Sequence, residues 1–264
     1  MKFSVCSLMV LGTVVAASIP FVRALPESEA SAGRLIARHF GEAVVGVRGT
    51  VAMKVKIGDR VLPPMDKKFD VNGTVIGAGG VTVTYLSGVD QKVGFEFMRS
   101  QMNSAGGPVE LVDTEFKKMW LRMADGSEIP ARLLWKDAEH DLALFGPEVG
   151  AADGRIFTFV DLTQAAESAS VLGNYYHLSR ANEAFQHVGL IRASTVIGII
   201  ERPRRLLLVS TDMFPETLGC PVFDQEGRVL GISLNKMEKG HPAGVVVVPA
   251  GDLDRIIREG TAQK

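Results

Sequence analysis

The sequence predicts an all-β fold: two β-barrels in tandem, each about 100 residues long, with a short helix at either end. Three observations carry the prediction. Short apolar or alternating runs, broken by Gly, Asp and Pro turns, recur from residue 43 to residue 145. A second series of the same kind starts near Ile156 and runs to Val248. Helical spacing of apolar residues marks the segments 26–40 and 249–259, which flank these series. Many short strands with frequent turns build barrels or sandwiches rather than helix-covered sheets.

Residues 1–24 read as a secretory signal peptide that is no part of the fold. Met1-Lys2 is a short positive start, 3–19 is an apolar run, and Val22-Arg23-Ala24 offers a cleavage site. A cut after Ala17 and an uncleaved membrane anchor are the alternatives. Residues 25–42 contain an amphipathic helix on Ala30, Leu35, Ile36 and Phe40 that stops at Gly41. Residues 43–152 are the first barrel, with strand runs at 43–47, 51–57, 73–76, 81–86, 118–123, 129–135 and 142–145. The clearest pair flanks Gly77-Ala78-Gly79-Gly80. The rhythm breaks at 95–114, where Ser100, Asn103, Ser104, Gly106, Gly107 and Pro108 predict a long surface loop. Residues 153–264 are the second barrel, with runs at 169–173, 185–193, 206–210, 221–223, 228–234 and 244–248, and then the closing helix.

Composition excludes several function classes. An apolar share of 46% and a charged share of 22% describe a globular chain with material for one large or two small cores. The formal charge is -1, and removing residues 1–24 takes away Lys2 and Arg23 but no acid, so no nucleic-acid or other polyanion partner is implied. Cys6 leaves with the leader, and Cys220 alone cannot form an intramolecular disulfide. His39, His140, His177, His187 and His241 show no metal-ligand spacing, so neither a metal nor a cofactor is expected.

The most informative stretch is residues 210–234, S-T-D-M-F-P-E-T-L-G-C-P-V-F-D-Q-E-G-R-V-L-G-I-S-L. As physics it is a Gly-bearing loop, a short apolar strand at 221–223, a turn at 224–227 and a second strand. It resembles the active-site segment of trypsin-like serine proteases, most closely the HtrA (Deg) branch, in which a T-D segment leads to P-G-N-S-G-G-P, a strand, a turn with Gly, and V-I-G-I. Thr211-Asp212, Pro215, Gly219, Pro221 and Val229-Leu230-Gly231-Ile232 match, and Leu218 stands at the serine position. Residues 80–89, G-V-T-V-T-Y-L-S-G-V, resemble the family's G-x-I-V-T-N-x-H-V-V, with Ser87 at the histidine. Asp125-Gly126 through Ala131 resembles its D-G-x-x-x-x-A hairpin, and residues 137–144 resemble D-x-x-x-D-L-A-L, whose second Asp, the triad acid, is Asp141. The three segments come in the family's order, and the resemblance spans 43–259.

This resemblance implies two six-stranded trypsin-like barrels, and a site whose chemistry has been taken apart. A working triad needs a nucleophile, a histidine base and an aspartate that orients it, next to two oxyanion-binding N–H groups. Leu218 has no nucleophilic atom, and Ser87 is no base near neutral pH. Glu216-Thr217 replaces the family's G-N in the oxyanion loop, with a carboxylate near where negative charge would develop. The resulting expectation is a pseudoprotease, secreted or periplasmic, that binds extended peptides or envelope proteins. An active peptidase using Ser104 or Cys220, and a structural subunit of an envelope complex that contacts its partner through the 95–114 loop, are the alternatives. Asp141 also suits a plain strand start, and Cys220 a small buried residue. His140, beside Asp141, would point to the opposite face of a strand.

Overall fold

A computed structural model describes residues 27–90, 92, 95, 109–166, 169–210 and 215–262. The expected signal peptide, Ser104 and Thr211-Asp212 lie outside the described residues. Helix α1 (Glu27–Phe40) leads into strand β1 (Val44–Ile57), which is followed by β2 (Arg60–Val61), β3 (Met65–Val75) and β4 (Thr82–Tyr85). A single turn of helix, α2 (Leu86–Val89), precedes β5 (Val109–Arg122), β6 (Glu128–Asp137) and β7 (Leu142–Pro147). The second half holds β8 (Asn174–Arg180), β9 (Gly189–Ile200), β10 (Leu206–Val209), β11 (Pro221–Phe223), β12 (Val229–Glu238) and β13 (His241–Pro249), and ends in α3 (Ala250–Ala262).

The strands form two closed six-stranded antiparallel barrels. In the first, the order β1-β3-β4-β7-β6-β5 closes by pairing of β5 with β1, and β2 hangs from the far end of β1. In the second, β10-β13-β12-β11-β8-β9 closes by pairing of β9 with β10. Alternation along each strand divides the apolar residues. On β1, Val45 and Val47 join the core of the first barrel, while Val44 joins a larger cluster with residues of both barrels. That shared cluster also takes Ile36 of α1 and Leu253 and Ile256 of α3. The two terminal helices therefore clamp the interface between the barrels. Tyr176 of β8 secures α1 by donating its hydroxyl to the Glu29 carbonyl at 2.8 Å, and Phe40 stacks on Phe223 with ring centroids 4.7 Å apart.

Several elements differ from the sequence-based expectation. The runs 43–47 and 51–57 are one strand, because Gly49-Thr50 passes through a register irregularity against β5 rather than a turn. Residues 109–114 belong to β5, not to the long loop: pairing with β1 out to Ile57↔Val109 overrides the polar, Gly-rich character of the segment before it. No strand starts near Ile156 or spans 169–173. The latter is a turn closed by Gly173 N–H to Ser170 O, and the second barrel begins at Asn174. Residues 185–188 form a turn at a hairpin tip, so β9 starts only at Gly189. The hairpins at Gly77–Gly80 and at Asp224–Gly227 form as expected. The second is held by the Asp224 carboxylate, which accepts from the Glu226 and Arg228 backbone N–H groups at 3.0 and 2.9 Å.

Candidate functional site

The site lies between the barrels. Pairing of Tyr85 with Leu142 brings the end of β4 beside the start of β7, and the Leu86 N–H donates to the Asp141 carbonyl at 2.9 Å. Asp141 adopts a left-handed backbone with φ of 54°, a conformation that Asp tolerates better than bulkier residues and that turns its side chain into the interface. There it is 1% exposed. Its Oδ1 accepts the Ser87 backbone N–H at 2.7 Å, and its Oδ2 accepts the Ser87 hydroxyl at 3.0 Å and the Asn235 backbone N–H at 3.3 Å. The Asn235 side-chain amide closes the ring by donating to Ser87 Oγ at 2.9 Å. Burial holds the Asp141 carboxyl above its ordinary pKa, and the bonds from Ser87 and Asn235 pull it back part of the way.

On the other side stands the loop at 215–220. Pro215–Thr217 makes one turn of 3-10 helix, and Gly219 follows with φ of 75°. The loop is tied to both barrels: Gly219 donates its N–H to Ser233 O at 2.7 Å and accepts from Thr74 Oγ1 at 2.7 Å, while Asn72 Nδ2 donates to Glu216 O at 2.8 Å. A Cβ at Gly219 would lie 2.4 Å from Asn72 O, so only glycine fits both the conformation and the space. Leu218 and Thr217 are buried, 8% and 3% exposed. Cys220 is fully buried, and its thiol donates to Glu216 O at 3.3 Å. Burial, with some help from Glu216, pushes the Cys220 thiol well above its usual pKa, so the reactive thiolate is disfavoured there.

Beside the 215–220 loop runs a cleft of about 280 Å³, lined by Asp70, Asn72 and Tyr85 of the first barrel and by Arg180, Glu183 and Glu216 of the second. The Tyr85 ring lies against Gly88, and burial, followed by the nearby Cys220, Asp141 and Glu216, keeps its phenol protonated. The expected residues Ser87 and Asp141 are thus in direct contact. Tyr85 links them to Glu216 and Cys220 by proximity. His140 bonds Asp137 at 2.6 Å and not Asp141. Asn72, Tyr85, Arg180 and Asn235 were not singled out from the sequence. Tyr85 lies inside the informative segment 80–89 and Asn235 one residue past the segment 210–234, whereas nothing local marks Asn72 or Arg180. Among the described residues no group of three or more His, Cys, Asp or Glu side chains converges as a metal would require, and no helix is long and apolar enough to cross a membrane.

This architecture defines a class. The trypsin-like peptidase domain matches residues 71–232, more than half of the chain, and the protein belongs to that family. Among solved structures it is similar to the MamO protease domain from Magnetospirillum magneticum, at 17% identity and a TM-score of 0.50, covering 83% of this chain and 97% of that one. It is also similar to Deg5, at 15% identity and a TM-score of 0.56, covering 89% and 94%. An HtrA-type protease solved with a tripeptide matches at 11% identity and a TM-score of 0.55, covering 87% of this chain and 63% of the other. These likenesses establish the fold. No curated protein sequence matches the chain.

Proposed function

We propose that this chain is a pseudoprotease, a trypsin-like peptidase fold that acts outside the cytoplasm and binds extended peptides or envelope proteins without cleaving them. One observation carries the reading: Asp141, at the position of the triad acid, takes its hydrogen bonds from Ser87 and Asn235, so no imidazole is held there. Leu218 occupies the nucleophile position with an inert side chain. The chemistry of acyl transfer asks for a base and a nucleophile in one line, and these positions offer a hydroxyl already bonded to a carboxylate, and a hydrocarbon. Cys220 does not replace them, since its buried thiol is kept neutral and points to a backbone carbonyl. The location outside the cytoplasm rests on the leader-like character of residues 1–24 and on the HtrA-type likeness.

The capacity to bind a peptide survives this loss of groups. Strand β11 covers β12 only as far as Ile232, and beyond it Ser233 still donates its N–H to Cys220 O. From residue 234 to 238 the side of β12 away from β13 pairs with no strand among the described residues. Backbone groups alternate between the two sides of a strand. Ser233 and Asn235 direct their N–H groups to this side, and Met237 is the next residue in that alternation, at a register irregularity of β12 against β13. An extended peptide can add there as a further strand, and the HtrA-type relative was solved with a tripeptide. Met237→Pro removes the outward N–H on what is an edge position, where proline is tolerated. Its expected effect is a loss of about tenfold in affinity for an unfolded fluorescent peptide, read by anisotropy, with the melting temperature little changed and the bound peptide recovered intact. Undiminished binding would remove the edge from the account, and recovery of cut peptide would remove the pseudoprotease.

A further inference from the structure

We infer that Glu216 makes the cleft selective for a cationic group on the bound peptide, either a lysine or arginine side chain or a free α-amine. The inference rests on the peptide-binding reading and adds the chemistry that the cleft selects. Glu216 stands in the loop that turns past Leu218, and its side chain lines the cleft. Its Oε2 is shut off from solvent and accepts no hydrogen bond among the described residues, while its Oε1 has only a long 3.4 Å contact with Asn182 Nδ2. With Oε2 closed to water and to any group in the cleft, the charge of the carboxylate is under-compensated, and a cationic N–H donor at the exposed Oε1 is the partner that restores most.

The surrounding charges point the same way. Asp70, the first-barrel acid of the cleft, is balanced by Arg48 and Arg122 at 3.5 and 3.9 Å. Arg180, the arginine of the cleft wall, has its guanidinium engaged by backbone: Nε donates to Val44 O at 2.5 Å, Nη2 to Gly41 O at 2.6 Å and Nη1 to His187 O at 3.2 Å. It is fixed as part of the joint between α1, β1 and β8, and it forms no ion pair with Glu216 or Glu183. His187, the remaining titratable group of the lining, contacts Arg122, and among the described residues the two glutamates are the cleft carboxylates that form no ion pair. Tyr85 neighbours both Glu216 and Asp141, and Asp141 is bonded to Asn235 at the start of the free β12 edge. A peptide on that edge that runs on past Asn235 towards Tyr85, which lines the cleft, would bring one long basic side chain, or its first amine, within reach of Glu216.

The test uses acetylated, amidated nonapeptides of Ala, Val and Ser that carry a central Lys, against the same peptide with norleucine or Glu there, and an uncapped norleucine peptide. Binding to the chain is followed by anisotropy at low and at physiological salt. The Lys peptide is expected to bind about tenfold tighter than the norleucine peptide. That preference should shrink as salt is raised and vanish in Glu216→Gln, whose isosteric side chain keeps the fold, as its melting temperature would verify. Preference for the uncapped norleucine peptide alone assigns the α-amine as the cation. Peptides that bind regardless of charge, or a Lys preference that persists in Glu216→Gln, overturn the inference while leaving peptide binding in place. Absence of binding by every peptide overturns both.

Discussion

Acidification from pH 6.5 towards pH 4 is expected to remove roughly 3 kcal/mol of stability through His177 alone. The residue lies on β8 with 0% exposure inside the second barrel, where its Nδ1 is 3.4 Å from Ser233 Oγ and its Nε2 has no partner among the described residues. Arg192, its register partner on β9, adds positive charge nearby. Burial first, and Arg192 second, push the imidazole down to about 4 from an ordinary 6.5. The folded state thus prefers neutral His177, whereas the unfolded chain takes up the proton near pH 6.5. The stabilisation is complete above that value and is lost as the pH falls through the window between the two. Asp141, raised by burial, works in the opposite direction when it gains its proton, so a difference between variants is the cleaner measure. Urea unfolding of the wild type and of His177→Leu at pH 7, 5.5 and 4 should show the wild type losing more, by roughly 3 kcal/mol between the first and the last. Parallel pH profiles would mean that His177 is not the acid-labile group.

Asp141→Ala is expected to destabilise the fold by about 4 kcal/mol, at the upper end for a single polar residue. Three donors converge on this carboxylate, and two of them are backbone N–H groups, of Ser87 in the first barrel and Asn235 in the second. Truncation leaves these N–H groups buried without an acceptor and unties the strand ends that meet at the site. Asp141→Asn keeps one acceptor oxygen and the shape of the side chain, so about half of that loss is expected. In an active triad the same aspartate would serve catalysis, and its removal would register chiefly in rate. Here its effect should register in the midpoint of urea unfolding. A midpoint within experimental scatter of the wild type for Asp141→Ala would refute the structural role.

The architecture was legible in the sequence because three local signals survive. Turn chemistry at Gly77–Gly80 and Asp224–Gly227, alternation along the strands, and the spacing of Ile36, Leu253 and Ile256 each report on burial that the chain satisfies locally. Strand ends were less legible. The first half of β5 is polar and follows a Gly-rich stretch, and it becomes a strand only because β1 extends far enough to pair with it. Similarly, residues 169–173 carry Ala, Val and Leu at strand-like density but close a turn in which the Ser170 N–H donates to the Tyr175 hydroxyl. The site divides along the same line. Ser87, Asp141, Leu218 and Glu216 sit in segments whose order could be read, whereas Asn72 and Arg180 act through their position in space. Arg180 gathers carbonyls from residues 41, 44 and 187, and no periodicity or motif encodes a contact of that range.

The most direct test of the account is peptidase turnover by residues 25–264 on an unfolded fluorogenic protein substrate, measured beside a Ser104→Ala, Cys220→Ala double variant. The account predicts no release of fluorescence above buffer from either protein, with the substrate intact after prolonged incubation. Turnover that follows the chain through purification would contradict it, and loss of that turnover in the double variant would place the nucleophile at Ser104 or Cys220.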